Sequence, residues 1–114
     1  MLIYSSETEV GDDVKSACYV KSTALAHELG EKGICQAASP LQPTSTATCV
    51  RVRQGKPIIT DGPFAETYEQ LGGYYLIEAA NLDEAIAIAR RIPAAEFGTV
   101  EIRPVLELKG MGDF

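Results

Sequence analysis

Two carboxylates lie close together in a segment that has to turn the chain. Asp61 and Glu66 flank a Gly-Pro-Phe sequence. Glycine accepts φ values that other residues avoid, and proline fixes φ and donates no backbone hydrogen bond, so this segment cannot continue a helix or a strand. Neighbouring carboxylates can hold different pKa values and act as general acid and general base. The spacing therefore predicts Asp61 and Glu66 as candidate catalytic residues.

Cationic and phenolic side chains flank the same turn. Arg51 and Arg53 alternate with valines in the preceding strand, so they share one face. Guanidinium groups bind carboxylates and phosphates in pairs of hydrogen bonds. Tyr74, in the following strand, adds a hydroxyl. These residues predict a cleft near Asp61 that binds or converts a small polar or anionic molecule.

A structural interpretation of the same turn stays open. Asp61 can accept backbone hydrogen bonds in an Asx turn before Gly62. Glu66 can cap the residues that follow it or pair with Arg51, and Phe64 is expected to anchor the turn to the core in either case. Under this interpretation the turn is a scaffold, and the acids perform no chemistry.

Composition limits the classes of function. The 114 residues predict one domain, residues 1–114, with 46% hydrophobic and 23% charged residues. A net charge of −6 argues against binding to nucleic acid or to an anionic membrane, since both require a basic surface. No apolar run approaches the roughly 20 residues of a membrane span. The first residues lack the basic region of a signal peptide, which favours a cytoplasmic protein.

The metal-binding residue types are few and scattered. Cys18, Cys35 and Cys49 are widely spaced, and His27 is the only histidine. This pattern fits neither a zinc site nor a disulfide framework, and it suits a reducing compartment. We therefore expect the three cysteines to be small buried hydrophobic residues, and we predict no metal and no cofactor.

The hydrophobic periodicity predicts an α+β domain. Strands are expected in residues 2–5, 34–38, 46–53, 56–60, 74–78 and 99–108, with helices from residue 12 or 13 to residue 29 and from residue 81 to residue 92. Gly30 and Gly33 should end the first helix, Gln54-Gly55 should form the hairpin turn, and residues 110–114 should be a frayed tail. The order β-α-β, hairpin, β-α-β predicts a ferredoxin-like sandwich with an inserted β-hairpin.

The strand at residues 74–77 is apolar on both faces. Tyr74 and Leu76 fall on one face, Tyr75 and Ile77 on the other. Because a two-layer sandwich covers only one face of its sheet, something must cover the second. We expect an identical subunit, and hence a homodimer; a small-molecule cleft on that face is the alternative.

Residues 61–67, followed by Glu69, resemble the signature of the DGPF-domain proteins, a branch of the YCII-related superfamily, although Tyr68 stands where these proteins usually have lysine. The segments at 41–43, 45–48, 50–53, 72–75 and 103–105 are similar to recurring family segments. The resemblance implies the ferredoxin-like fold and a homodimer of the dimeric α/β-barrel type. It brings no established reaction. It also implies an alternative function, a non-enzymatic sensor or adaptor linked to sigma-factor-dependent transcription.

The resemblance also bears on acid–base chemistry. The wider YCII group has a proposed histidine–aspartate dyad, with the histidine on the first helix and the aspartate just before the proline that ends the second. When Gly33 and Pro93 are placed at the corresponding family positions, these two sites are occupied by Ser22 and Ile92. The dyad is therefore absent, and YCII-type acid–base chemistry is not expected to carry over.

Overall fold

A four-stranded antiparallel sheet carries two helices on one face in the computed structural model, which describes residues 1–108. The predicted tail at 110–114 lies outside the described residues. The strands are β1 (Leu2–Ser5), β2 (Cys35–Pro40), β3 (Thr48–Arg53), β4 (Lys56–Asp61), β5 (Gln70–Ile77) and β6 (Thr99–Glu101), and the helices are α1 (Asp12–Glu31) and α2 (Leu82–Ala89). The main sheet has the order β2-β5-β1-β6, and β3 and β4 form a separate pair. This α+β arrangement is compatible with the predicted ferredoxin-like fold.

Glycine ends α1 through a specific hydrogen-bonding pattern. Gly33 has a φ of +73°, which favours glycine. Its N–H donates to the Gly30 carbonyl oxygen, and the Ile34 N–H donates to the Leu29 carbonyl oxygen at 2.8 Å. These two bonds define a Schellman motif. The predicted stop at Gly33 is confirmed, whereas Gly30 lies inside the helix, where its carbonyl serves the motif.

The start of α2 was also predictable. The Asn81 side-chain oxygen accepts a hydrogen bond from the Glu84 N–H at 2.9 Å, as expected for an N-cap. The helix ends at Ala89, three residues before the predicted end, and Pro93 opens a short 3-10 turn. Within residues 1–108, neither helix combines the length and the apolar character needed to cross a bilayer.

The two faces of the main sheet differ as the alternation predicts. Tyr75 is buried against α1 and α2, and Ile3, Ile77 and Val100 pack on the same core. The opposite side, here called the open face, carries no helix of residues 1–108 and consists of Leu2, Tyr4, Leu71, Tyr74 and Leu76, with residues 103–105 beside it. Tyr74 and Leu76 remain 39% and 40% exposed. The sheet is therefore apolar on both sides, and the helices cover only one of them.

Several strand boundaries differ from the sequence prediction; among them, β5 begins at Gln70, four residues before the expected start, and β3 begins at Thr48, two residues after it. β6 ends at Glu101 rather than at residue 108. Glu101 pairs with Leu2 at the start of β1, so almost no backbone remains for later residues to pair with, and Pro104 has no N–H to offer. β2 runs to Pro40, two residues beyond the expected end, because Ser39 and Pro40 still lie opposite Tyr74 and Gly73 of β5.

Strands β3 and β4 form a protruding hairpin, here called the arm (residues 48–61). Gln54 and Gly55 both have positive φ, which gives the predicted two-residue turn. Every described hydrogen bond of the arm has both of its partners within residues 47–62. The protrusion raises the radius of gyration to 16.2 Å, compared with about 13 Å for a compact domain of this length.

Candidate functional site

A cavity of about 280 Å³ lies between α1 and the sheet. Its walls come from α1, from the helix-facing side of β1, β2 and β5, and from the loop that leaves β2. Ligand pockets in proteins occupy roughly 300–1,000 Å³, so the volume suits a small molecule. The cavity is the candidate functional site in the described part of the chain.

The cavity exists because small residues face each other across it. α1 contributes Cys18, Ser22 and Ala26 at a spacing of four, so they form one stripe of the helix. The sheet contributes Ala38 and Gly73 opposite them. None of these side chains can fill the space between helix and sheet, whereas well-packed interiors leave few voids larger than a water molecule. The sequence of the two elements thus creates the cavity.

Polar groups converge at one edge of the cavity and are largely satisfied by one another. The Glu7 carboxylate accepts hydrogen bonds from the Thr44 N–H at 2.9 Å and from the Thr44 hydroxyl at 3.2 Å. The Glu7 N–H donates to the Gln70 side-chain oxygen at 3.0 Å. Lys15 Nζ donates to the Glu7 carbonyl oxygen at 2.6 Å. This polar rim, Glu7, Lys15 and Gln70 with Thr44 behind it, joins the β1–α1 loop, the first turn of α1, the start of β5 and the connection after β2.

Lys15 keeps donors available for a ligand. Of the residues that line the cavity, Lys15 is the only lysine or arginine. An ammonium group carries three N–H donors, and one described hydrogen bond uses Nζ. Among the described residues Lys15 forms no salt bridge, so the cation is not neutralised by direct contact with a carboxylate. The rim therefore presents a positive donor to the cavity.

Two titratable groups in the cavity wall are held in their protonated forms. Burial raises the pKa of the Tyr75 phenol, and the Tyr75 hydroxyl donates to the Ser22 carbonyl oxygen at 2.8 Å. Burial also raises the pKa of the Cys18 thiol, against smaller opposing effects of Ser22 and Lys21. Neither group is thereby prepared to act as a base or a nucleophile at neutral pH.

Asp61 and Glu66 lie away from this cavity. Asp61 ends β4, is exposed and pairs with Thr48, and its carboxylate makes no hydrogen bond to any residue of 1–108. The turn after it is made instead by Gly62, which has a φ of +90° and donates its N–H to the Ala47 carbonyl oxygen at 2.7 Å. Glu66 is exposed, and within the described chain it forms no salt bridge.

The predicted ligand-binding residues do not converge with Asp61 within one chain. Arg51 and Arg53 lie on the face of the arm that also carries Lys56, whereas Asp61 lies on the opposite face with Val50 and Ile59. Tyr74 is among the residues that line the cavity, although the alternation of β5 places its side chain on the open face with Leu2. Completion of the predicted site would require groups from a second molecule.

Phe64 corrects one sequence expectation. Its ring was expected to anchor the turn to the core, but it is 79% exposed. The reason is local: β4 belongs to the protruding arm, so the residues that follow it begin at a distance from the core of the main sheet. The loop rejoins the sheet only at Gln70, where β5 begins.

Sequence reasoning missed Lys15 and Glu7 as polar groups of a site, whereas a hydroxyl from Tyr74 or Tyr75 was expected. A usable signal was present in the stripe of small residues on α1 and in the Gly72-Gly73 pair of β5, which together indicate a gap between helix and sheet. His27, expected to be an ordinary helix residue, is exposed and lies at the cavity edge. Within residues 1–108, no group of three histidine, cysteine or acidic side chains is placed to hold a metal ion.

A family model for the YCII-related domain matches residues 1–109. The chain belongs to the YCII-related family. Among curated proteins, an uncharacterized protein of Rhizobium meliloti (strain 1021) is 42% identical over 85 residues, which cover 73% of this chain and 68% of the relative. The family and this relative identify the kind of domain. A ligand has to be inferred from the geometry of the site.

The two positions assigned to the dyad of the wider YCII group are now placed. Ser22 lines the cavity, and its carbonyl oxygen accepts the Tyr75 hydroxyl. Ile92 is 1% exposed in the hydrophobic core and does not line the cavity. In this YCII-related chain those two positions therefore carry a cavity-lining serine and a core isoleucine, and the two residues supply no acid–base pair.

Proposed function

We propose that the protein binds a small monocarboxylate, a molecule with an apolar body and one anionic end, in the cavity between α1 and the sheet. The observation that carries this proposal is Lys15, a cation with unused donors at the edge of a cavity lined mainly by uncharged side chains. An apolar body gains free energy by leaving water, and a charged hydrogen bond at one end fixes its orientation.

Binding is favoured over conversion by the state of the cavity wall. The Tyr75 and Cys18 pKa values are both raised by burial. Glu7 is the only carboxylate among the lining residues, and hydrogen bonds from Thr44 to both of its oxygens hold it at the rim. A general base must lie within hydrogen-bonding reach of the proton it removes. The cavity thus offers recognition without a prepared acid–base pair.

A matched pair of probes tests this proposal. Benzoate and benzyl alcohol have similar shapes, and only benzoate is anionic at neutral pH. We expect benzoate to shift the NMR signals of cavity residues and to bind at least about tenfold more tightly than benzyl alcohol, which corresponds to one charged hydrogen bond. Lys15→Met should abolish the preference while leaving the fold intact. Lys21→Met, an exposed lysine on the same helix, should keep it.

The volume of the cavity gives an independent test. Ala26→Leu places a larger side chain in the cavity, whereas Ala24→Leu makes the same change on the exposed side of α1. The first variant should lose benzoate binding and the second should retain it. If both variants bind benzoate as well as the parent protein does, the ligand lies elsewhere and the proposal fails.

We also propose that the chain falls in the DGPF branch and that Asp61 and Glu66 act in a cleft completed by a second copy. The residues 61–67 support the assignment. The separation of Asp61 from the arginines within one chain supports a shared site. If a gene that encodes the Asp61→Asn variant restores full function in a deletion strain, the carboxylate is not required, and the proposal of a second site at Asp61 is discarded.

We propose that the protein is a homodimer in which the open face is covered. The exposed Leu76 and Tyr74 support this arrangement, because large apolar patches on soluble proteins usually mark contact sites. The free thiols of Cys18, Cys35 and Cys49 support a reducing, cytoplasmic setting. The proposal includes the arrangement of a dimeric α/β barrel, in which the two sheets face each other.

The alternative is a sensor or adaptor linked to sigma-factor-dependent transcription. The observation that favours it is the exposed Phe64 beside the protruding arm, since aromatic side chains are enriched at protein interfaces. Under this alternative Phe64→Ala should abolish the response of the linked promoter in cells, while Lys15→Met should leave that response unchanged. The opposite pattern would favour the cavity.

A further inference from the structure

The cavity between α1 and the sheet is elongated. α1 lines it from Lys15 to His27, and an α-helix rises about 1.5 Å per residue, so this wall is roughly 18 Å long. β5 lines it from Gln70 to Tyr75, and a strand advances about 3.4 Å per residue, which gives roughly 17 Å. A sphere of about 280 Å³ would be only about 8 Å across. The cavity is therefore about twice as long as a rounded one of equal volume.

The two ends of the cavity differ. Gly30 lies one helical turn beyond Ala26, and a Cβ at Gly30 would be 3.7 Å from the Cys35 carbonyl oxygen of β2, which is van der Waals contact. Helix and sheet therefore converge beyond Ala26 and close this end. The opposite end is the polar rim with Lys15, and one long side is open, where Tyr19 of α1 is exposed. The shape is that of a slot with its cation at the open end.

The part of the cavity between its two ends suits an uncharged chain. The side chains that line it between Lys15 and Ala26 carry no charge, and Ala38 faces them from β2. The Tyr75 hydroxyl already donates to the Ser22 carbonyl oxygen at 2.8 Å, so it requires no partner from a ligand. A second charged group placed there would lose its water without gaining a partner, which is costly. The wall thus favours a ligand that is charged at one end only.

We infer that the ligand is a straight-chain fatty acid anion of about ten carbons, which lies along α1 with its carboxylate at Lys15 and its methyl end at Ala26. These two residues are eleven positions apart, or roughly 16 Å along the helix. A charged hydrogen bond takes about 3 Å of this length. With C–C bonds of about 1.5 Å, an extended chain advances roughly 1.25 Å per carbon, so the remaining length holds about ten carbons. The assignment rests on the monocarboxylate binding proposed above and adds the shape and length of the ligand.

A series of straight-chain acids from hexanoate to tetradecanoate tests the length, with affinities measured by NMR titration below the concentrations at which the acids form micelles. Each methylene added up to decanoate should raise the affinity about threefold, slightly less than complete burial would give, because one side of the cavity is open. Beyond about ten carbons the affinity should level off, since the closed end stops the chain. A rise that continues through tetradecanoate would indicate adsorption on exposed apolar surfaces and would overturn the assignment.

Decanedioate tests the orientation of the ligand. It has the length of decanoate but a second carboxylate, which would have to enter the closed end, where Lys15 is out of reach. We expect it to bind at least about tenfold more weakly than decanoate. His27 is exposed at the cavity edge near that end, so equal binding of the two acids would show that the far end accepts an anion and that the methyl end does not lie there.

A pair of variants locates the chain in the cavity. Ala38→Leu fills the space towards the closed end, and decanoate should then bind no more tightly than hexanoate, whose own affinity should be retained. Ala37→Leu makes the same change on the opposite, exposed face of β2 and should keep the difference between the two acids. If Ala38→Leu binds decanoate as the parent protein does, the chain lies elsewhere. Should Ala38→Leu fail to fold, the length series and decanedioate decide the question.

The outcome for the length of the ligand is separate from that for the proposed function. If decanoate binds no more tightly than hexanoate in the parent protein while benzoate keeps its preference over benzyl alcohol, monocarboxylate binding stands and the fatty acid is overturned. If neither benzoate nor any of the straight-chain acids binds, the proposed function fails and the fatty acid fails with it.

Discussion

Gly62 is the residue in the signature segment whose conformation the structure makes critical. Its φ of +90° lies where a Cβ is unfavourable, although no atom lies within 4 Å of the position that a Cβ would occupy. Gly62→Ala should therefore strain the root of the arm by about 1–2 kcal/mol through backbone conformation alone. Since the arm is joined to the rest of the chain mainly through its root, we expect amide hydrogen exchange within residues 48–61 to accelerate about tenfold.

Asp61→Asn is the matched control for this prediction. The Asp61 carboxylate makes no described hydrogen bond and is exposed, so its replacement should change the free energy of unfolding by less than about 0.5 kcal/mol. An acceleration of exchange as large as that in Gly62→Ala would contradict the geometry and would show that the carboxylate holds the turn.

At the residue scale, alternation predicted which side of β5 each residue occupies, but it did not predict distances. Tyr75 was correctly placed opposite Tyr74, because the period of a strand depends only on the sequence. The hydrogen bond from Tyr75 to Ser22 depends on the separation of helix and sheet, which many other residues set. Phe64 was misjudged for the same reason: ring size indicates a preference for burial, and the path of the loop decides whether burial is available.

The two helices are joined by an ion pair at the surface. Arg91 donates a hydrogen bond to the Glu28 carboxylate at 2.6 Å, and Lys32 lies 3.7 Å from the same carboxylate. The Arg91 hydrogen bond, followed by the charges of Arg91 and Lys32, lowers the pKa of Glu28 below its usual value of 4.5. In the acid range the unfolded chain thus binds this proton more readily than the folded one does.

The pair should therefore stabilise the fold above about pH 4.5, and its contribution should disappear as the pH falls through the lowered pKa. We expect Glu28→Gln to reduce the midpoint of thermal unfolding slightly at pH 7, because the pair is exposed, and to have no effect at about pH 2, where carboxylates are protonated. Glu31→Gln, on the same helix and without a described ion pair, should show no such difference. An equal effect of Glu28→Gln at both pH values would contradict the assignment.

At the scale of elements, local signals were reliable where local chemistry decides the structure. Asn81 began α2 and Gly33 ended α1, since capping involves residues only a few positions apart. The end of β6 was not predictable, because it depends on the length of its partner β1. The cavity was missed because the small residues Ser22 and Ala26 of α1 were not compared with Ala38 and Gly73 across from them.

The whole molecule should be a dimer that depends on the open face. We expect sedimentation at micromolar concentration to give twice the chain mass of 12.2 kDa. Leu76→Asp should give a folded monomer, because the side chain is already 40% exposed in one copy and an aspartate there would be desolvated only at an interface. Circular dichroism checks that the monomeric variant remains folded.

Val20→Asp provides the control for this change. Val20 is an exposed apolar residue of α1, on the side of the molecule where the open face does not lie. The variant should sediment as the parent protein does. A monomer produced equally by Val20→Asp would move the proposed interface to the helical side and remove the open face from consideration.

At this largest scale the order of strands could be predicted, whereas the position of the arm could not. The β-α-β pattern limits the sheet to few topologies, and the four-stranded sheet follows one of them. The direction of the arm depends on two loops without apolar periodicity. Residues 41–47 and 62–69 contain turn residues. A sequence pattern gives their order along the chain but not the direction in which they turn it.

The hydrogen bonds of Glu7 link the rim of the cavity to the segment that leads into the arm. Glu7 holds Lys15 through its carbonyl oxygen and holds Thr44, just before the arm, through its carboxylate. A molecule that draws Lys15 towards itself acts on the loop from which the arm departs. Under the proposed ligand and the proposed homodimer, coupling between them would be reciprocal: the factor by which an occupied cavity raises the affinity of one copy for another would be the factor by which self-association raises the affinity for the ligand. The apparent sensitivity of this protein to its ligand would then rise with its own abundance, so that a cell could adjust the response by changing expression alone.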